Sequence, residues 1–163
     1  MTSKQDYITK LKLETHPEGG WFKETYHSDD KYYAAESNCE RYRYTSILFL
    51  LDGNNPSHFH RLNHDELWFY HDGKNIVVHC IYPNGEYKAI KLGNDIGNDE
   101  VPQFMVPKGT IFASSVDKKA DFALVSCVVA PGFDYSDFEL MHKADLLKCY
   151  PNLNNIINRL ALD

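Results

Sequence analysis

Residues Ser57 to Gly73 read SHFHRLNHDELWFYHDG, and the fold turns on how this stretch is laid out. In an extended strand, residues two apart share a face, so His58 and His60 point one way and Phe59 the other. A turn over Leu62 to His64 returns the chain, and ELWFYH follows as a second strand that carries Glu66 back to the same space. Asp72-Gly73-Lys74 then marks a further hairpin. On this reading two imidazoles and one carboxylate converge, the donor set of a two-His-one-carboxylate site for Fe, Mn, Ni or Zn. The bland alternative is a surface hairpin whose histidines, His64 and His71 among them, have no chemical role.

Outward from this hairpin, the pattern stays β from about residue 20 to 130. GWFKETYHS (20–28) alternates large and polar residues, and RYRYTSILFLL (41–51) passes from alternation into a continuous apolar run. NIVVHCIY and YKAIKL flank the turn PNGE (83–86), and VPQFMVP, GTIFAS and FALVSCVVAP follow. About eight short strands between Gly and Asn/Asp turns predict an antiparallel barrel or sandwich. At the N-terminus, SKQDYITKLKL places Tyr7, Ile8 and Leu11 on one helical face with Ser3 as cap, and HPEGG (16–20) ends the helix. The tail DLLKCYPNLNNIINRLAL reads as two short helices broken at Pro151. The expected layout is one domain over 1–163, with an N-terminal helix at about 3–13, a barrel at about 20–130 and C-terminal helices at about 140–161.

Composition narrows the function classes. The 163 residues carry a formal charge of −6 and no Lys/Arg run, which argues against nucleic acid and anionic membranes as partners. No apolar run approaches a membrane span, and the N-terminus lacks a signal-peptide core. Cys39, Cys80, Cys127 and Cys149 lie far apart, which suits reduced thiols in a cytoplasmic compartment. Neither a G-x-S-x-G elbow nor a P-loop is present, so covalent acyl transfer and nucleotide hydrolysis are disfavoured.

The spacing brings a family into view. GNNPSHFHRLNHDELWFYHDG (53–73) resembles the first motif of the cupin superfamily, with a spacer one residue short. GNDEVPQFMVPKGTIF (97–112) resembles the second, with Pro107 and Gly109 in place but Phe112 where that motif has a histidine ligand. LKLETHPEGGWFKETY, CVVAPGFDYSDFEL and the tail LLKCYPNLNNIINRL resemble one small, mostly uncharacterised group, the cupin-5 type. The resemblance implies an all-β, RmlC-like cupin jelly-roll barrel with short flanking helices, usually a homodimer, with a pocket inside the barrel.

Taken with the strand pattern, this gives a set of expectations. His60 and Glu66 form an acid/base pair. His58, Trp68, Gln103, Met105 and Phe112 line a ligand pocket. A divalent metal on His58, His60 and Glu66 lacks its fourth side chain at Phe112. The ligand is a small polar metabolite, and the reaction an isomerisation or epimerisation of a carbohydrate derivative. The alternatives are a non-catalytic binding protein and a metal-dependent oxygenase. Arg61 is expected to pair with Asp65, Glu18 to reach a pocket or a dimer contact, Phe133 and Phe138 to anchor packing, and Asp137 and Glu139 to cap the next helix.

Overall fold

The structure, a computed structural model, describes residues 2–119 and 121–163. Helix α1 (Lys4–Leu11) starts at a capping box in which Ser3 and Asp6 satisfy each other's backbone donors. It ends at Lys12, which turns left-handed at φ 57°, so the helix stops before HPEGG is reached. The strands follow as β1 (Glu14–Thr15), β2 (Trp21–His27), β3 (Lys31–Ala34), β4 (Cys39–Tyr42), β5 (Thr45–Leu51), β6 (Ser57–Leu62) and β7 (Glu66–Gly73). Next come β8 (Ile76–Ile81), β9 (Tyr87–Leu92), β10 (Gln103–Val106), β11 (Ile111–Ser115), β12 (Ala123–Val129) and β13 (Phe138–Leu140). Helices α2 (Lys143–Cys149) and α3 (Asn154–Leu160) close the chain, separated at Pro151.

Two antiparallel sheets face each other. One has the order β1-β2-β5-β12-β7-β10, the other β13-β6-β11-β8-β9. This is the jelly-roll arrangement, in which two sheets share one apolar interior. Phe49, Leu51, Trp68, Ile76, Val78, Phe112 and Val125 fill that interior. Each fully buried side chain of this size contributes roughly 1.5–3 kcal/mol. β5, β8 and β12 are mostly apolar on both faces because their outer faces are covered too. Tyr7, Ile8 and Leu11 of α1 pack with Leu50, Phe122 and Leu124 on the first sheet. Leu146 of α2 and Ile157 and Leu160 of α3 pack with Phe59, Ile81, Ile111 and Ala113 on the second.

The stretch 41–51 is two strands, not one. β4 pairs with β3 in a separate hairpin, and the chain bends at Arg43 before β5 enters the first sheet. The hairpin turn is tight, with Asn38 at φ 53°, a conformation Asn tolerates better than most residues. Among the described residues, no helix is long and apolar enough to cross a membrane.

Candidate functional site

The geometry of the site begins with an irregularity in β6. Against β11 the register pairs Ile111 with Arg61 and Phe112 with His60, but then Ser114 with Ser57 where regular pairing would give His58. One extra residue in β6 makes a bulge, and the bulge breaks the alternation of faces. Ser57 and His60, three apart, both turn into the barrel. His58 turns out, and its Nδ1 lies 3.2 Å from the Leu160 carbonyl oxygen. The expected convergence of His58 with His60 and Glu66 is therefore corrected: these three do not fit a shared metal. Among the described residues, no group of three or more His, Cys, Asp or Glu side chains is arranged to hold one.

The place foreseen for His58 is taken from the other side, by the HPEGG loop. Gly19 (φ 111°) and Gly20 (φ 76°) press this loop onto the sheet. A Cβ on Gly19 would stand 2.0 Å from the Pro56 carbonyl oxygen, so only glycine fits. The His58 N–H donates to the Glu18 carbonyl at 2.7 Å and ties the loop to β6. The Glu18 side chain then enters the barrel. Its Oε1 accepts from Ser57 Oγ at 3.0 Å, and its Oε2 lies 3.1 Å from His60 Nε2. His16 stands alongside, its Nδ1 accepting from the Glu18 N–H at 3.2 Å.

Glu66 opens β7 with its side chain inward. Its Oε2 accepts from Trp68 Nε1 at 2.9 Å, whereas among the described residues no donor reaches its Oε1. Burial raises both carboxyls to about 7. Charge on Glu18 adds to the rise at Glu66, whereas His16 and Ser57 oppose it at Glu18, and His60 and Trp68 oppose it at Glu66. Burial likewise holds His60 below its ordinary value, against the pull of the His58 carbonyl and Glu66.

His60 Nδ1 lies 2.7 Å from the His58 carbonyl oxygen. A carbonyl only accepts, so Nδ1 carries the proton, and in the neutral ring Nε2 presents a lone pair. Glu18 Oε2 faces that lone pair, and two lone pairs at 3.1 Å repel unless a proton lies between them. While Glu18 is protonated, below about 7, its proton therefore lies between Glu18 and His60.

These groups open on a cavity of about 130 Å³. His16, Glu18, His60 and Glu66 form its polar end, while Phe22, Ile47, Val129, Phe133, Tyr135 and Phe138 form apolar walls. Phe133, Tyr135 and Phe138 come from the segment between β12 and the end of the sheet, and a buried ion pair holds that segment down. Asp137 Oδ2 lies 3.1 Å from Arg41 NH2 of β4, with His64 Nε2 at 3.4 Å.

The structure places the other expected residues differently. Trp68 and Phe112 lie behind the site, each 1% exposed, with the Phe112 ring 4.1 Å from that of His60. They support ligand-facing groups without lining the cavity. Gln103 and Met105 face outward. β10 pairs Phe104 with Trp68 and Met105 with Leu67, so Phe104 is the inward residue, and Met105 is 45% exposed. The expectation was off by one residue, which reverses every face. Arg61 pairs with Glu139 at 3.1 Å, while Asp65 accepts the Lys108 N–H at 2.7 Å. Asp137 and Glu139 are thus ion-pair partners and not helix caps. His16, Phe22 and Tyr135 were missed, and Glu18 was left between a pocket and a dimer contact. The HPEGG signature is the signal that marks His16 and Glu18.

Comparison with known proteins follows the same lines. The family model described as "Cupin superfamily (DUF985)" matches residues 5–141. An uncharacterised protein of Saccharomyces cerevisiae, YML079W, is 34% identical over 160 residues, covering 90% of this chain and 79% of its own. A hypothetical protein from Leishmania major superposes with a TM-score of 0.92 at 37% identity, covering 99% of both chains. A Shewanella oneidensis protein superposes with a TM-score of 0.91 at 40% identity, over 99% of both chains. Oxalate decarboxylase from Bacillus subtilis is similar at a TM-score of 0.55 and 12% identity, over 91% of this chain and 37% of its own, which is a likeness of fold alone.

Proposed function

This chain belongs to the cupin superfamily, in the family designated DUF985, and on that premise we propose that it binds one small polar metabolite in the barrel cavity and moves a proton on it, as an isomerase or epimerase of a carbohydrate derivative does. One observation carries this reading: the Glu66 carboxylate oxygen without a protein donor lies in the same small cavity as the 3.1 Å contact between Glu18 Oε2 and His60 Nε2.

Both acids are raised to about 7, so near neutrality each is poised to give or take a proton. Glu66, ionised, removes a proton from carbon beside a carbonyl, and the C–H electron pair moves into the enolate. The proton held by Glu18 and His60 passes to the enolate oxygen and gives an enediol. For the isomer, Glu66 returns its proton to the former carbonyl carbon while the hydroxyl on the carbon first deprotonated gives its proton back to Glu18 and His60. For the epimer, Glu18 and His60 instead protonate the opposite face of the carbon that Glu66 deprotonated, and exchange with solvent returns the proton from Glu66 to that pair. Phe22, Phe133 and Phe138 exclude water, which strengthens the electrostatics of the step.

The test is solvent exchange. Incubated in D2O with a panel of aldoses and ketoses, the protein is expected to replace one carbon-bound hydrogen of its substrate with deuterium, seen by proton NMR. Glu66→Gln should abolish the exchange. A sugar that binds the wild-type protein yet never exchanges would leave a binding protein without turnover.

A further inference from the structure

We infer that the ligand carries an ammonium group, as an amino derivative of a sugar does, its charged nitrogen against Glu66 and Glu18 and its carbon body against the ring walls. The inference rests on the pocket reading above and specifies what the pocket takes.

Three features of the cavity agree. First, its lining carries three carboxyl groups, Glu18, Glu24 and Glu66, and among the described residues no Lys or Arg lines it. An anionic ligand would enter with no positive partner. Second, Glu66 is 8% exposed with one oxygen held by Trp68 and the other facing no protein donor. A carboxylate oxygen that reaches the cavity without a protein donor is open to a donor from the ligand, and N⁺–H is the strongest. Third, the rings of Phe133, Tyr135 and Phe138 meet as a corner. Their interplanar angles are 78°, 74° and 78°, at centroid separations of 5.1, 6.4 and 6.1 Å. Aromatic corners beside carboxylates attract cations through the ring quadrupole. The volume, about 130 Å³, suits one ring or a short branched chain.

Binding should strengthen as pH rises from 6 to 8. Glu18 and Glu66 lose their protons in that window. Of the other groups facing the cavity, burial shifts His16 and His60 toward the neutral imidazole and raises the Cys127 thiol and the Tyr135 phenol further above neutrality. Glu24 adds a carboxylate at the exposed side.

The experiment is calorimetric titration at pH 7.5 of the full chain with three ligands of one shape: benzylammonium, benzyl alcohol and benzoate. Benzylammonium is expected to bind about tenfold more tightly than the alcohol, with benzoate weakest. In Glu66→Gln the preference should shrink to about threefold or less. Tyr135→Ala, at a half-exposed position that leaves the core intact, should weaken the ammonium more than the alcohol. Equal binding of alcohol and ammonium, or preference for benzoate, would overturn the cation and leave the pocket reading standing. Failure of all three would also overturn it, and the sugar exchange experiment then judges proton transfer separately. A signal that depends on added Mn²⁺ or Zn²⁺ would assign the negative charge to a metal and equally refute the inference.

Discussion

Glu66 is held at a cost that can be measured. Its carboxyl titrates higher in the folded chain, about 7 against an ordinary 4.5, because burial and the charge of Glu18 penalise the anion. The folded state therefore keeps the extra proton, and stability falls as pH rises from 4.5 through 7. Glu66→Gln removes that slope. We expect the variant to be more stable than the wild type at pH 8, on the order of 2 kcal/mol, and about equal at pH 4, by urea unfolding at both values. Comparison of the two proteins cancels the opposite slope of His16 and His79, whose pKa burial lowers and which favour folding as pH rises toward 6.5, whereas His60 loses the upward pull of Glu66 and keeps a slope of its own. At this scale the sequence was half legible. The return of the chain after His60 puts Glu66 inward by simple alternation. His58 defeats the same rule because a single-residue bulge has no mark in SHFHRL, and Glu18 was reachable only through a glycine pair whose purpose is a close approach to Pro56.

The HPEGG loop is tied to β6 through the His58 N–H and the Ser57 hydroxyl, and the 131–139 segment to β4, β5 and β6 through Arg41, Thr45 and Arg61. Gly19→Ala forces a Cβ to within 2.0 Å of the Pro56 oxygen at φ 111°, so the loop must lift. Thermal unfolding should show a loss of at least ~2 kcal/mol. Glu18 should move out of the barrel, and ligand binding should fall further than stability does. Arg41→Met leaves Asp137 buried without its guanidinium, with an expected loss of ~3 kcal/mol in urea unfolding. The aromatic walls should loosen, seen as raised proteolysis after Tyr135. Most strands could be read from alternation and turn residues because each buries one face. β10 was phased wrongly because its one polar side chain, Gln103, was read as a pocket contact when it marks the outer face. The β3–β4 hairpin was hidden because Arg41 is buried against Asp137 and so reads as an ordinary polar strand position.

The jelly roll itself was the most legible feature, since paired motifs and short strands point to it from both ends of the chain. What the chain does not settle alone is its outer surface. α1 covers only part of the first sheet, and Leu67 and Met105, partners in register, remain 36% and 45% exposed beside Val128. Such a sheet face suits a second copy of the same chain. Light scattering is expected to give a homodimer at micromolar concentration, and Leu67→Lys combined with Met105→Lys a monomer of unchanged fold. The central claim is that the loop at Glu18 and the strands at His60 and Glu66 build one buried proton-handling unit. Carbon-13 NMR titration of glutamate carboxyls tests it most directly. Two carboxyl resonances should titrate near 7, and Glu66→Gln should remove one and lower the other as the neighbouring charge is lost. Titration of every glutamate below 5, with no resonance altered by the substitution except that of Glu66 itself, would contradict it.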